Sequence, residues 1–93
     1  MMTDQLDIDF KKAIDTIDTI DTIDSIDKKL SNETMLELYK YFKQATFGNC
    51  CTEKPYFYEL KAVAKWEAWK SISGMDNYVA KQKYIDLVNS LTK

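Results

Sequence analysis

Residues 31–48 read SNETMLELYKYFKQATFG, and their spacing decides how this chain folds. Met35, Leu38, Tyr39, Phe42, Ala45 and Thr46 recur at i, i+3, i+4 and i+7 intervals, which puts them on one face of a helix. The strict alternation of a half-buried strand is absent. Ser31 or Asn32 supplies the side-chain oxygen that caps orphan N–H groups where such a helix begins. At the other end, Gly48 is expected to stop it in the left-handed conformation, where a Cβ would be penalised.

Beyond Gly48, the stretch from Asn49 to Pro55 reads as a loop, because the residue before a proline disfavours the helical region. A third helix is expected from about Leu60 to Ile72, carrying Val63, Ala64, Trp66 and Trp69, with Gly74 as its stop. The two indoles are expected to form much of a small core. Asp76 can cap a fourth helix with Ala80, Tyr84, Leu87, Val88 and Leu91 on one stripe.

Upstream, a first helix is expected from Leu6 to about Ile20. It runs into a triplet repeat at residues 14–27, with Ile14, Ile17, Ile20, Ile23 and Ile26 each followed by Asp. Three residues advance a helix by about 300°, so each Ile falls about 60° behind the last and the series winds round the axis. Only two or three consecutive isoleucines can therefore face one core. The later triplets read as an extension or a connecting segment, and the repeat itself as a neutral expansion.

The composition bounds the function. Ninety-three residues allow one domain and one core, and 45% hydrophobic with 30% charged residues is globular. Two Gly and one Pro leave few turns, which favours helices. The net charge of −2 is uneven: residues 1–27 carry eight Asp against two Lys, and residues 28–93 eleven Lys against seven acids. The second part can receive an anion but lacks the strongly basic footprint of a nucleic-acid binder. Every basic residue is Lys, so anions must be held by ammonium point charges. With no His, neither a Cys/His zinc site nor a His-activated nucleophile can be assembled. Cys50 and Cys51 are expected as free thiols in a loop, since a bond between neighbours is strained. The acidic N-terminus resembles no signal peptide and no apolar run is long enough to span a bilayer, so a cytoplasmic protein without membrane insertion is expected.

Aromatic and lysine residues share helical faces. Tyr39, Phe42 and Lys43 stand at i, i+3 and i+4; Lys40 borders the same stripe. Lys65 precedes Trp66, and Tyr84 lies midway along the fourth helix. A ligand meeting these groups finds cations for phosphate, π-faces for a base and apolar surface for a tail. Each also has a plainer role, the rings as core and the lysines reaching into water. The acid pairs Asp15/Asp18 and Glu33/Glu37 read as solvated faces rather than acid–base machinery.

Residues 39–49, YKYFKQATFGN, closely resemble the Y-x-x-Y-K-Q-A-T-x-G-D signature of the acyl-CoA-binding proteins. Thr52-Glu53-Lys54-Pro55 resembles the T-E-R/K-P loop that follows it. Residues 64–69, AKWEAW, resemble A-K-W-x-A-W, and Ala80 with Tyr84-Ile85 resembles the A-x-x-x-Y-I/V of the last helix. Phe10, Ala13 and Ile14 look like the family's first helix.

The resemblance implies an all-α, four-helix up-down-down-up bundle, one domain over residues 1–93, that carries long-chain fatty acyl-CoA in the cytosol. It implies no catalysis, no cofactor, a monomer, and transient contact with enzymes that use acyl-CoA. Tyr39 and Lys43 match positions that contact the CoA head group, and Lys65 the position that answers the ribose 3′-phosphate. Tyr84 matches a nucleotide contact, while Met35 and Leu36 match positions along the acyl chain. Phe42 stands for the second signature tyrosine, keeping the π-face and losing a hydroxyl. Asn49 replaces Asp, and Asp18 or Asp24, depending on register, falls where the family has a lysine. Weaker head-group affinity, or substitution by Lys28 and Lys29, is the expected consequence. Two other classes compete: a helical protein-interaction module that keeps the fold without the ligand, and a thioesterase using Cys50 or Cys51. The second lacks a base to activate the thiol.

Overall fold

The computed structural model describes residues 5–23 and 31–91, without the side chains of residues 18–23. Four helices make up the regular structure of these residues: α1 (Gln5–Ile23), α2 (Asn32–Phe47), α3 (Leu60–Lys70) and α4 (Asn77–Leu91). The expectations for the side chains of Asp18, Asp24, Lys28 and Lys29, and for the triplets after Ile23, lie outside the described residues.

Local chemistry sets the helix ends. The Ser31 hydroxyl accepts the Thr34 N–H at 3.1 Å, relieving one orphan donor of α2. The Asp76 carboxylate accepts the Tyr78 N–H at 2.7 Å and performs the same office for α4. Gly48 ends α2 with positive φ, as expected, but with φ 84° and ψ −146° it is not left-handed helical. Its carbonyl is turned to accept the Trp69 indole N–H at 2.8 Å. That conformation is all but reserved for glycine. α3 stops at Lys70, short of Ile72; the chain then tightens into i→i−3 bonds, Ile72 to Trp69 and Ser73 to Lys70, before Gly74 turns at φ 95°.

α4 is the hub. It packs against α1 on one side and α2 on the other, and α3 leans on the far side of α2. Phe10, Ala13, Leu38, Ala45, Ala80, Tyr84, Ile85 and Val88 form the core, with Ile14 and Ile17 against its edge. The triplet repeat thus reaches the core through Ile14 and Ile17, as its 60° drift requires. Asp7 of α1 and Lys81 of α4 add an ion pair across their contact. Trp69 is buried, as expected of a core indole, though apart from this cluster, while Trp66 is only half-buried. Their indoles bond the loop, Trp66 to the Thr52 carbonyl at 2.9 Å and Trp69 to that of Gly48.

Residue pairs across α2 and α3 reveal their relative direction. The Lys65 ammonium meets the Tyr39 ring, and the Lys43 ammonium meets the Trp69 ring. Both pairs are offset by the same number of residues, so the two helices run parallel. Residues 48–59 make the return journey between them, which gives the up-down-down-up order. The molecule measures 39 × 38 × 18 Å, a shallow body whose α1 and α3 do not touch. No helix of the described residues is long and apolar enough to cross a membrane.

Candidate functional site

Parallel packing of α2 and α3 gathers cations around one ring. The Lys43 ammonium lies 5.9 Å from the centre of the Tyr39 ring, and that of Lys65 lies 5.5 Å from it. Lys43 is further held 4.1 Å from Phe47 and 5.0 Å from Trp69. Neither lysine is ion-paired among the described residues, so both charges are carried against π-faces rather than carboxylates. Burial pushes the Tyr39 phenol above its ordinary value, and the nearby Cys50 adds to the shift. The phenol therefore stays a neutral hydrogen-bond donor at physiological pH. Together these groups offer two ammonium ions to phosphate oxygens and an aromatic face to a base.

The other expected residues divide into three groups. Tyr84 is buried in the core, 5.2 Å from Phe10 and 6.3 Å from Phe42 between ring centres, rather than on the cation-bearing rim. Core formation by α1, α2 and α4 claims its ring. Phe42 is half-buried and belongs to this aromatic group, while its neighbour Lys43 belongs to the rim. Lys40 instead lies with its ammonium 5.2 Å from the ring of Tyr41, a residue that lines a groove with Lys83 and Leu87 of α4. Met35 is 49% exposed and Leu36 half-buried, one to two turns before Tyr39 and Lys43. They extend the face with apolar surface toward the start of α2.

Two grooves lie elsewhere. One of about 280 Å³ runs between α1 and α4 beside Lys12 and Asn89, and one of about 220 Å³ lies beside Tyr41 and Lys83. Neither includes Tyr39, Lys43 or Lys65. The candidate site is a face with a charged end at Lys43 and Lys65 and an apolar end at Met35 and Leu36.

Sequence reasoning missed three contributors. Phe47 follows Lys43 by four residues, a spacing that announces contact on a helix. Gln44 is buried; its side-chain N–H group donates to the Asn49 side-chain oxygen and to the Met75 carbonyl, each at 2.9 Å. The same Asn49 oxygen accepts the Gly74 N–H at 2.6 Å. This clasp ties the end of α2 to the turn before α4 and so fixes the helix that bears the site. Cys50 is buried beside this loop and Cys51 exposed, both as free thiols.

Known proteins share this architecture and its sequence. The family model described as acyl CoA binding protein matches residues 7–88. The chain belongs to the acyl-CoA-binding protein family. Among relatives, an acyl-CoA-binding domain-containing protein 6 homolog of Dictyostelium discoideum is 41% identical over 92 residues, covering 98% of this chain and 31% of that protein. Human enoyl-CoA delta isomerase 2 is 43% identical over 65 residues, covering 70% of this chain and 16% of the isomerase. The chain thus spans under a third of the length of these curated relatives. The crystal structure of the Oryza sativa acyl-CoA-binding protein 2 superimposes with a TM-score of 0.81 at 33% identity, covering 94% of this chain and 90% of that one. Its agreement extends the family assignment from sequence to the all-α fold.

Proposed function

We propose that this acyl-CoA-binding domain carries long-chain fatty acyl-CoA in the cytoplasm and does no chemistry on it. The observation behind this reading is the convergence of Lys43 and Lys65 on the Tyr39 ring, at one end of a face whose other end is Met35 and Leu36. Met35 lies eight residues from Lys43, roughly 12 Å along the helix axis. A ligand with an anionic nucleotide and a greasy tail spans such a face; a free nucleotide or a free fatty acid uses half of it. Phe47 and Trp69 hold the Lys43 ammonium in place before a phosphate arrives, which lowers the ordering cost of binding.

A charge-assisted hydrogen bond contributes about 1.5–3 kcal/mol, and each buried CH₂ about 0.8 kcal/mol. A long chain therefore offers on the order of 10 kcal/mol before ordering costs, and head group with tail reach nanomolar affinity. Tyr84 acts from below in this reading, packing against Phe42 and so supporting the α2 face. The reading requires no cofactor. It has the protein act as a monomer that meets acyl-CoA-using enzymes only transiently.

Calorimetric titration with palmitoyl-CoA tests it. Lys43→Ala and Lys65→Ala should each weaken binding by about 10- to 100-fold, the loss of one charge-assisted contact. Binding by the parent chain that neither substitution alters would remove the cation rim from the ligand site. In the same titration Asp18→Lys should tighten binding if the acid there opposes the head group; unchanged affinity would show that it does not.

A further inference from the structure

The loop before α3 carries an aromatic cluster for which the ligand face has no use. Tyr56, Phe57, Tyr58 and Leu60 are 71, 87, 62 and 75% exposed, four large apolar side chains within five residues. Burying exposed apolar surface of this extent is favourable wherever a partner permits it. The turn that presents it is closed twice: the Tyr56 carbonyl accepts the Glu59 N–H at 2.9 Å, and the Glu59 carboxylate accepts the Tyr56 N–H at 3.2 Å. Tyr56 and Tyr58 stack with ring centres 5.6 Å apart and planes within 6°. Phe57 stands edge-on to Tyr58 at 5.6 Å and 87°. The result is a convex, prearranged knob of rings.

Its electrical surroundings are neutral. Over residues 53–67, Glu53, Glu59 and Glu67 balance Lys54, Lys61 and Lys65; Lys54 is bonded to Glu67 at 3.4 Å, and Glu59 is engaged by the turn. The knob therefore has little to offer a strongly charged partner such as a nucleic acid. The parallel register of α2 and α3 puts the start of α3 level with the start of α2. The rings accordingly stand at the end of the molecule where Met35 is exposed, away from the Lys43 rim.

We propose that residues 56–60 dock this protein peripherally on the interfacial layer of a zwitterionic lipid bilayer. Tyrosine rings suit that layer, with the ring at the acyl boundary and the hydroxyl in water. A convex knob wedges into a deformable layer without needing the matching concavity that a rigid protein surface must supply. Neutral flanks match head groups without net charge. A few side chains give weak, reversible attachment, on the scale of a single acyl anchor or less. The docking surface stands on exposure, shape and charge, and does not require the ligand reading to hold.

Co-sedimentation of the ligand-free chain with phosphatidylcholine vesicles tests it. The parent protein should partition onto the vesicles, with little change between about 50 and about 500 mM salt, because no counterions are released. The variant Tyr56→Ser/Phe57→Ser/Tyr58→Ser alters only exposed side chains; its thermal melt serves as a folding check. It should lose about tenfold or more in partition, while Lys61→Gln should leave partition unchanged. Absence of parent binding to phosphatidylcholine would overturn the proposal. So would binding that needs anionic lipid and collapses in salt, which would assign the contact to lysines. A dimer abolished by the triple substitution, without vesicle binding, would show that a second copy covers the rings. Loss of palmitoyl-CoA affinity with partition intact would place them in the ligand site instead.

Discussion

Lys43 touches three aromatic faces, and the magnitudes decide what those contacts mean. An exposed cation–π contact contributes about 0.5–1 kcal/mol, less than a charge-assisted bond to phosphate. No single ring therefore holds the ammonium as strongly as a phosphate would, so the rings position it without sequestering it. Tyrosine ionisation gives a separate readout of the same face. Burial raises the phenols of Tyr39 and Tyr41 above 10.0, with Cys50 and Glu37 adding respectively. In the unfolded chain both ionise at their ordinary value, so the folded state binds more protons above it. Their contribution to stability is complete below about pH 10 and is lost as pH rises through the raised folded values. The melting temperature of Tyr39→Phe/Tyr41→Phe should consequently fall less steeply than that of the parent over this alkaline range. Parallel decline in the two proteins would mean that neither phenol is desolvated as described.

At the scale of elements, the helices were legible because each announces itself in its own residues. The 3.6-residue stripe, Ser31, Asp76 and Gly48 needed no partner to be recognised. What the residues could not reveal was how one element reshapes another. The Trp69 indole reaches across to the Gly48 carbonyl and draws it out of the left-handed conformation. Buried Trp69 and half-buried Trp66 each use the indole N–H to staple the loop, at Gly48 and Thr52. Gln44 and Asn49 sat inside the quoted signature, yet their shared clasp on Met75 and Gly74 depends on a turn 31 and 25 residues away in the chain. Gly48→Ala is the sharpest probe of this junction. An added Cβ meets nothing within 4 Å, so its cost is backbone strain alone, about 1–3 kcal/mol. Denaturant unfolding should register that loss; a stability equal to the parent's would mean that the junction tolerates an ordinary residue.

For the molecule as a whole, the family motifs foretold the helix order and the meeting of Tyr39, Lys43 and Lys65. They did not foretell that Tyr84 and Lys40 leave that group, since the same spacing suits a core ring, or a lysine lying on its neighbour Tyr41. The bundle explains the division. α1, α4 and α2 enclose the core, while α3 touches only the outer flank of α2, so the α2–α3 seam remains open to carry charge. A single ligand held at both ends of this seam should depend on both. Calorimetry with free CoA, dodecanoyl-CoA and palmitoyl-CoA measures that dependence directly. Palmitoyl-CoA should bind in the nanomolar range, dodecanoyl-CoA more weakly and free CoA weaker still by several orders of magnitude, following the buried CH₂ groups. Equal affinity for all three, or binding of none, would contradict a face built for head group and tail together.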